Sequence, residues 1–184
     1  GLTQKNTLGN VNEWGQYDQS RIDILNMYAD AAWEVNPDAY FILEHFAENS
    51  EEKELSGYGS MLWGNMNFNY NEATMGYHEN NKSDFSWISY QKRGWDDPHV
   101  IGYMESHDED RMMFRNISFG DTTNSSHNVR DTTIGLRRQE LAGNFFFTVP
   151  GPKMIWQFGE RGYDYSINYD PGNPDSLAEG EIWG

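Results

Sequence analysis

The sequence contains no cysteine, and this absence excludes disulfide bonds and thiolate metal sites from the chain. Basic side chains are also few: 13 lysine and arginine residues stand against 29 aspartate and glutamate residues, a formal net charge of -16. A surface this negative repels phosphate backbones and anionic lipid, so we expect neither a nucleic-acid nor a membrane partner. No apolar run approaches the length needed to cross a bilayer.

Aromatic residues are plentiful, at 15% of the chain, with seven tryptophans and eleven tyrosines. Their flat apolar faces and polar edges suit stacking against sugar rings, although a large hydrophobic core accounts for most of them. With 184 residues, the chain is long enough for one domain with a sizeable core. The composition therefore fits a neutral, sugar-like substrate.

Apolar periodicity and turn signals predict helices that alternate with strands. The predicted elements are a helix from Asp18 or Ser20 to Asn36, a strand over 39–43, a strand over 60–63, a helix within 67–92, a strand from Val100, a helix from Asp131 to Thr148 and a strand over 154–158. The polar stretches 47–57 and 115–130 predict loops. Such alternation is typical of a parallel sheet covered by helices.

Three of the predicted strands end in ionisable side chains. The residue pairs that follow them are Glu44-His45, His107-Asp108 and Glu160-Arg161. In barrel enzymes the catalytic groups lie at the carboxyl ends of parallel strands, and these ends meet at one edge of the sheet. We therefore expect the three pairs to converge on a functional site.

Glu44 and Asp108 are the candidate catalytic carboxylates. At the mouth of an apolar strand, partial desolvation of Glu44 would raise its pKa and keep it protonated near neutral pH, as a general acid requires. The alternative is an ordinary ion pair between Glu44 and Arg111 or Arg161. Asp108 would stay ionised and face a developing positive charge, or else cap the turn after its strand. Paired carboxylates among aromatic residues favour glycoside hydrolysis.

His107 could donate a hydrogen bond to a substrate hydroxyl, or simply satisfy the polar end of its strand. A metal site over 107–110 is a weaker interpretation, because ligands at consecutive positions point in different directions. We predict no metal site and no cofactor within this chain.

Three of these stretches resemble motifs of the alpha-amylase family of glycoside hydrolases. Residues 103–108, Tyr-Met-Glu-Ser-His-Asp, are similar to the family's "x-x-x-N-H-D" strand end, with Ser106 where the family usually has Asn. Residues 41–44, Phe-Ile-Leu-Glu, resemble the fifth-strand motif that carries the general acid. Residues 148–160 resemble the eighth-strand segment, offset by one residue at Lys153. The three motifs occur in the family's order and span nearly the whole chain.

The resemblance implies a role for six residues. Glu44 would be the acid that protonates the leaving oxygen and later activates water. Asp108 would be the third carboxylate, which binds ring hydroxyls and helps to distort the sugar, and His107 would contact the sugar at the cleavage site. The side chains expected to line the cleft are His45, Trp63 and Arg111.

One departure from the family defines the expected fold. The family's nucleophile, an aspartate on the fourth strand in a motif like G-F-R-x-D, has no counterpart in this sequence. The resemblance therefore implies an α/β fold, the C-terminal half of a (β/α)8 TIM barrel from helix 4 through strand 8, with parallel strands and helices outside. Residues 1–168 would form this half-barrel, and residues 169–184 a turn-rich segment at its end. A whole barrel takes about 250 residues, and calcium sites of the family would lie in the missing N-terminal half.

We expect the parent protein to be a retaining hydrolase that cleaves alpha-glucosidic bonds in starch-like polysaccharides. This chain alone would be inactive, because it carries the acid without the nucleophile. Its partners would be the alpha-glucan and either the missing N-terminal half or a second copy, since a half-barrel leaves two sheet edges open.

Two alternatives stay open. One is a non-catalytic glucan- or protein-binding module with the same fold, and the other is a glucanotransferase or branching-type enzyme. A polysaccharide substrate favours a secreted or cell-envelope location, which no feature of the sequence establishes.

Overall fold

The computed structural model describes residues 15–169. In this part of the chain the α-helices are Gln19–Val35 (α1), Asn49–Tyr58 (α2), Asn67–Met75 (α3), Tyr90–Arg93 (α4), Met112–Phe119 (α5) and Thr132–Thr148 (α6). Short 3-10 helices span Glu79–Asn81, Ser86–Ile88, Ser125–His127 and Gly159–Arg161. None of the helices between residues 15 and 169 is long and apolar enough to cross a membrane. Residues 1–14 and all but the first residue of the predicted turn-rich segment 169–184 lie outside the described residues.

Four strands form one sheet in the order β1-β2-β3-β4. The strands are Ile42–Leu43 (β1), Met61–Asn65 (β2), Val100–Tyr103 (β3) and Lys153–Met154 (β4). β1 runs parallel to β2 with Leu43 opposite Leu62, and β3 runs parallel to β4 with Tyr103 opposite Met154. The predicted α/β class, a parallel sheet with helices around it, is confirmed.

The chain divides into two compact units. Among the described residues, unit 1 comprises 15–64, 89–101 and 150–152, and unit 2 comprises 65–88, 102–149 and 153–169. Unit 1 contains β1, β2 up to Gly64 and the first half of β3. Unit 2 contains the second half of β3 and all of β4.

Unit 1 is built on α1, which begins where the sequence predicts. The side chain of Asp18 accepts the backbone N–H of Ser20 at 2.9 Å and so caps the helix. The apolar face of α1 joins a buried cluster made of Ile22, Leu25, Leu55, Leu62, Trp95 and Val100. Burial of such side chains stabilises the fold by about 1.5–3 kcal/mol each.

Unit 2 holds a second buried cluster, to which α3, α5 and α6 contribute side chains. Its buried members are Met66, Tyr70, Ile88, Met112, Ala142 and Phe146. The ring of Tyr70 stacks on Phe85 at 4.5 Å between centroids, and Phe146 meets the Tyr70 ring edge-on at 5.8 Å. The sequence pattern within 67–92 predicts that Phe85, Ile88 and Trp87 face inward. Phe85 and Ile88 do pack in this cluster, whereas Trp87 is exposed.

The two polar stretches predicted as loops contain helices. Residues 49–58 form α2, because Glu51 and Glu52 are not solvated there but buried in ion pairs with arginines. The stretch 115–130 begins inside α5, whose Met112 and Met113 are buried. In α2, polarity was misleading because it does not distinguish solvated charges from buried, paired ones.

Three predicted elements differ from the structure in their limits or in their buried face. The helix within 67–92 is broken, since α3 ends at Gly76 in the left-handed conformation (φ 100°). Two short 3-10 helices follow, and the next α-helix begins only at Tyr90. The sequence pattern of α6 places Ile134, Arg138, Leu141 and Phe145 on one side. The buried residues are instead Gly135, Ala142 and Phe146, while Leu141 and Phe145 are exposed. β4 is only two residues long instead of covering 154–158.

Candidate functional site

The six predicted site residues fall in both units. Unit 1 contains Glu44, His45 and Trp63, and unit 2 contains His107, Asp108 and Arg111. Most of these residues lie within a strand or shortly after its carboxyl end.

Glu44 directly follows β1 and is exposed to solvent. β1 is an edge strand of two residues, and even Ile42 within it is 51% exposed. The partial desolvation predicted for Glu44 is therefore wrong, because the edge strand leaves its carboxyl end open to water. An accessible carboxylate can still meet a substrate.

The imidazole of His45 is hydrogen-bonded to a buried carboxylate. Its Nε2 lies 2.7 Å from Oε1 of Glu51. Glu51 also accepts Nε and Nη2 of Arg21, both at 2.7 Å, and the backbone N–H of Asp18 at 2.8 Å. Burial acts to raise the pKa of Glu51, but the hydrogen bonds from His45, Arg21 and Asp18 outweigh it and lower that pKa to about 2. An ionised carboxylate only accepts, so Nε2 of His45 carries a proton.

The next residue of α2 anchors the same loop. Glu52 is buried, lies 3.0 Å from Nη1 of Arg93, and accepts the backbone N–H of Ala47 at 3.1 Å. Burial raises the pKa of Glu52 above its usual range. Glu51 thus holds the imidazole of the residue next to Glu44, whereas Glu52 holds the backbone of Ala47, three residues beyond Glu44.

Trp63 lies in the middle of β2 and is half-buried. Successive side chains of a strand point to opposite faces, so Trp63 points away from the face on which Leu62 joins the unit 1 cluster. An indole on this face is compatible with the predicted role in a cleft.

His107 and Asp108 lie in an exposed turn after β3. Nε2 of His107 is 3.3 Å from Oδ1 of Asp108, and the two side chains are 45% and 63% exposed. Oγ of Ser106 accepts the backbone N–H of Asp108 at 3.2 Å and donates to Glu109, which also accepts from Asn65. Ser106 thus serves to close the turn that presents the two side chains.

The ring of Trp156 lies 5.8 Å from that of His107. This neighbour was not among the predicted site residues. Its position inside the segment 148–160 was an available signal, because that segment was already linked to the site.

The guanidinium of Arg111 is buried and contacts other residues of unit 2. Its side chain is 8% exposed and its Nη1 lies 3.2 Å from Oε2 of Glu105 and 3.2 Å from the carbonyl oxygen of Gln157. The guanidinium also lies over the ring of Tyr163 at 5.2 Å. Its predicted contact with substrate stays a prediction, but these contacts give it a structural role.

Glu105 is the buried carboxylate behind the turn. It accepts the backbone N–H of Met112 at 2.8 Å in addition to Arg111. Burial raises the pKa of Glu105, against the effect of these donors. Beside it, a cavity of about 350 Å³ is lined by Trp156, Glu160 and apolar side chains of α6 and β4.

The sequence did not single out the buried pairs Arg21–Glu51 and Arg111–Glu105. Arg21 and Glu51 are 30 residues apart, so no local spacing links them. The available signal was an arginine on the otherwise apolar face of α1, next to Ile22.

Comparison with known proteins adds no relative. No protein-family model matches the chain, and a search of curated proteins finds no match.

Proposed function

We propose that this chain is the C-terminal half of the barrel of a retaining alpha-glucan hydrolase, in which Glu44 is the general acid and base. The observation that carries the proposal is a contrast between two sets of carboxylates. Glu51, Glu52 and Glu105 are buried and paired with arginine, whereas Glu44 and Asp108 are exposed. Carboxylates that must reach a substrate are expected to stay accessible.

The chemistry would run by double displacement. As a nucleophilic carboxylate bonds to the anomeric carbon, the glycosidic C–O bond breaks and Glu44 gives its proton to the departing oxygen. Glu44, now ionised, takes a proton from water as the water oxygen bonds to the anomeric carbon and the sugar–enzyme ester breaks. Glu44 thus carries out both proton transfers and is protonated again at the end of the reaction.

The other residues would hold the sugar. Asp108 and His107 accept and donate hydrogen bonds at ring hydroxyls, and the Trp156 ring beside His107 offers an apolar face for stacking. The motif that carries the nucleophile in the alpha-amylase family has no counterpart in this chain. The proposal therefore requires an upstream segment that completes the barrel.

Release of oligosaccharides from soluble starch tests the proposal. The chain alone and the chain co-produced with its upstream coding segment are compared at equal concentration. We expect release only from the co-produced sample. Release by the chain alone would mean that a nucleophile lies within these residues, and no release from either sample would overturn the proposed activity.

A further inference from the structure

We infer that Glu51 is a positioning residue for Glu44, because it holds the imidazole of His45 and thereby fixes the loop that carries the acid. This inference rests on the proposed function, since it gives Glu51 a part in the reaction of Glu44. Glu51 itself is fully buried and cannot touch a substrate.

The carboxylate of Glu51 is saturated with donors. Oε1 lies 2.7 Å from Nε of Arg21 and 2.7 Å from Nε2 of His45. Oε2 accepts Nη2 of Arg21 at 2.7 Å and the backbone N–H of Asp18 at 2.8 Å. Charge-assisted hydrogen bonds of this length are among the strongest in proteins, and the side-on pair with arginine fixes the plane of the carboxylate. Glu51 is thus a rigid acceptor.

His45 transmits that rigidity to the acid. Its side chain is only 13% exposed, and its Nε2–H has a fixed acceptor, so the ring is held in one orientation. Because His45 follows Glu44 directly in the chain, fixing the His45 side chain also restricts the backbone of Glu44. A general acid has to be held in place, since a misplacement of about 1 Å can cost on the order of a hundredfold in rate.

The neighbouring ion pair provides a matched comparison. Glu52 is also buried, also belongs to α2 and also pairs with an arginine, Arg93, but the hydrogen bond to the His45 ring is made by Glu51 and not by Glu52. A glutamine at position 52 still offers an oxygen to the N–H of Ala47. A glutamine at position 51 must turn its amide N–H groups toward existing donors, either His45 and Arg21 or Arg21 and Asp18.

The experiment compares Glu51→Gln with Glu52→Gln in two assays. Long-range ¹H–¹⁵N spectra of the chain report which ring nitrogen of His45 is protonated, with His45→Ala used to assign the signals. Steady-state hydrolysis of a maltooligosaccharide by the chain co-produced with its upstream segment gives kcat and KM separately. His45→Ala is also assayed, so the test does not depend on Glu51→Gln folding well.

We expect a protonated Nε2 on His45 in the wild type and in Glu52→Gln, and a changed protonation pattern in Glu51→Gln. Both Glu51→Gln and His45→Ala should lower kcat by on the order of tenfold to a hundredfold with little change in KM, while Glu52→Gln keeps kcat. Equal kcat in all variants of an active enzyme would overturn the inference and leave the proposed function standing. An inactive wild type would overturn both, and it is recognised before any variant is compared.

Discussion

A Cβ atom at position 159 would collide with Oε2 of Glu105, so glycine is what lets the buried carboxylate occupy its place beside Arg111. Gly159→Ala would force Glu105 or the backbone to move. We expect a loss of about 1–3 kcal/mol in the free energy of unfolding, measured by urea denaturation.

Gly57→Ala is the matched control for that substitution. Gly57 lies in α2, and a Cβ atom at this position would have no heavy atom of another residue within 4 Å apart from its chain neighbours and the backbone of its own helix. Alanine should therefore stabilise the protein by about 0.5–1 kcal/mol, through the lower backbone entropy of its unfolded state. Equal effects at the two positions would contradict the role of Glu105 as the obstacle at position 159.

Removing only one partner of the ion pair between Arg111 and Glu105 should lower the free energy of unfolding more than removing both charges. Arg111→Met leaves Glu105 as a buried charge without its arginine, and we expect a loss of about 3–5 kcal/mol. Glu105→Gln combined with Arg111→Met removes both charges, and glutamine still offers an oxygen to the N–H of Met112. The double variant should thus be more stable than Arg111→Met, and denaturation midpoints that rank them the other way would refute this arrangement.

The pKa of Glu51 predicts how its contribution depends on pH. That pKa is about 2 in the folded chain against 4.5 for the free side chain. The ionised group therefore stabilises the fold fully above pH 4.5, and this stabilisation, on the order of 3 kcal/mol, is lost as the pH falls toward 2.

Urea denaturation of the wild type and Glu51→Gln from pH 7 down to pH 2 measures that dependence. The stability difference between them should be constant at neutral pH and shrink below about pH 4.5. A difference that stays the same throughout would show that Glu51 does not titrate in this range.

Asp108→Asn should abolish activity without loss of stability. The side chain is 63% exposed, so its replacement should change the free energy of unfolding by no more than about 0.5 kcal/mol. Asp96→Asn is the control, since Asp96 is 88% exposed. Both variants should unfold like the wild type, and only Asp108→Asn should lose starch hydrolysis in the co-produced sample. Loss of activity in both, or in neither, would argue against a role for Asp108.

The parallel sheet could be predicted because short apolar runs alternate along the sequence with stretches of helical periodicity. The apolar run of β3 and the apolar spacing of α1 are encoded locally, and both elements begin where the sequence predicts them. α2 could not be predicted, because Glu51 and Glu52 lie in the core only by virtue of Arg21 and Arg93, residues distant along the chain. A charged residue can be seen in the sequence, but the distant residue that will pair with it in the fold cannot.

The sequence could propose the residues of the candidate site, but it could not identify the buried side chains that hold them. Glu44, His107 and Asp108 could be proposed from their positions after strands. The buried Glu51 and Glu105 behind them could not, since their function depends on contacts that form only after the chain folds. Exposure of Glu44 likewise follows from β1 lying at the edge of the sheet, which the sequence did not reveal.

The central claim, that Glu44 is the acid and base of a retaining alpha-glucan hydrolase, is tested most directly by Glu44→Gln in the co-produced sample. Starch hydrolysis is compared with cleavage of an aryl maltoside, whose leaving group needs no proton, with and without azide. Glu34→Gln, at an exposed position of α1, is the control.

We predict that Glu44→Gln slows starch hydrolysis by on the order of a hundredfold to ten-thousandfold. It should still cleave the aryl maltoside, and azide should accelerate that turnover by replacing the water that Glu44 would activate. Glu34→Gln should behave like the wild type in every assay. Starch hydrolysis by Glu44→Gln at the wild-type rate would contradict the account.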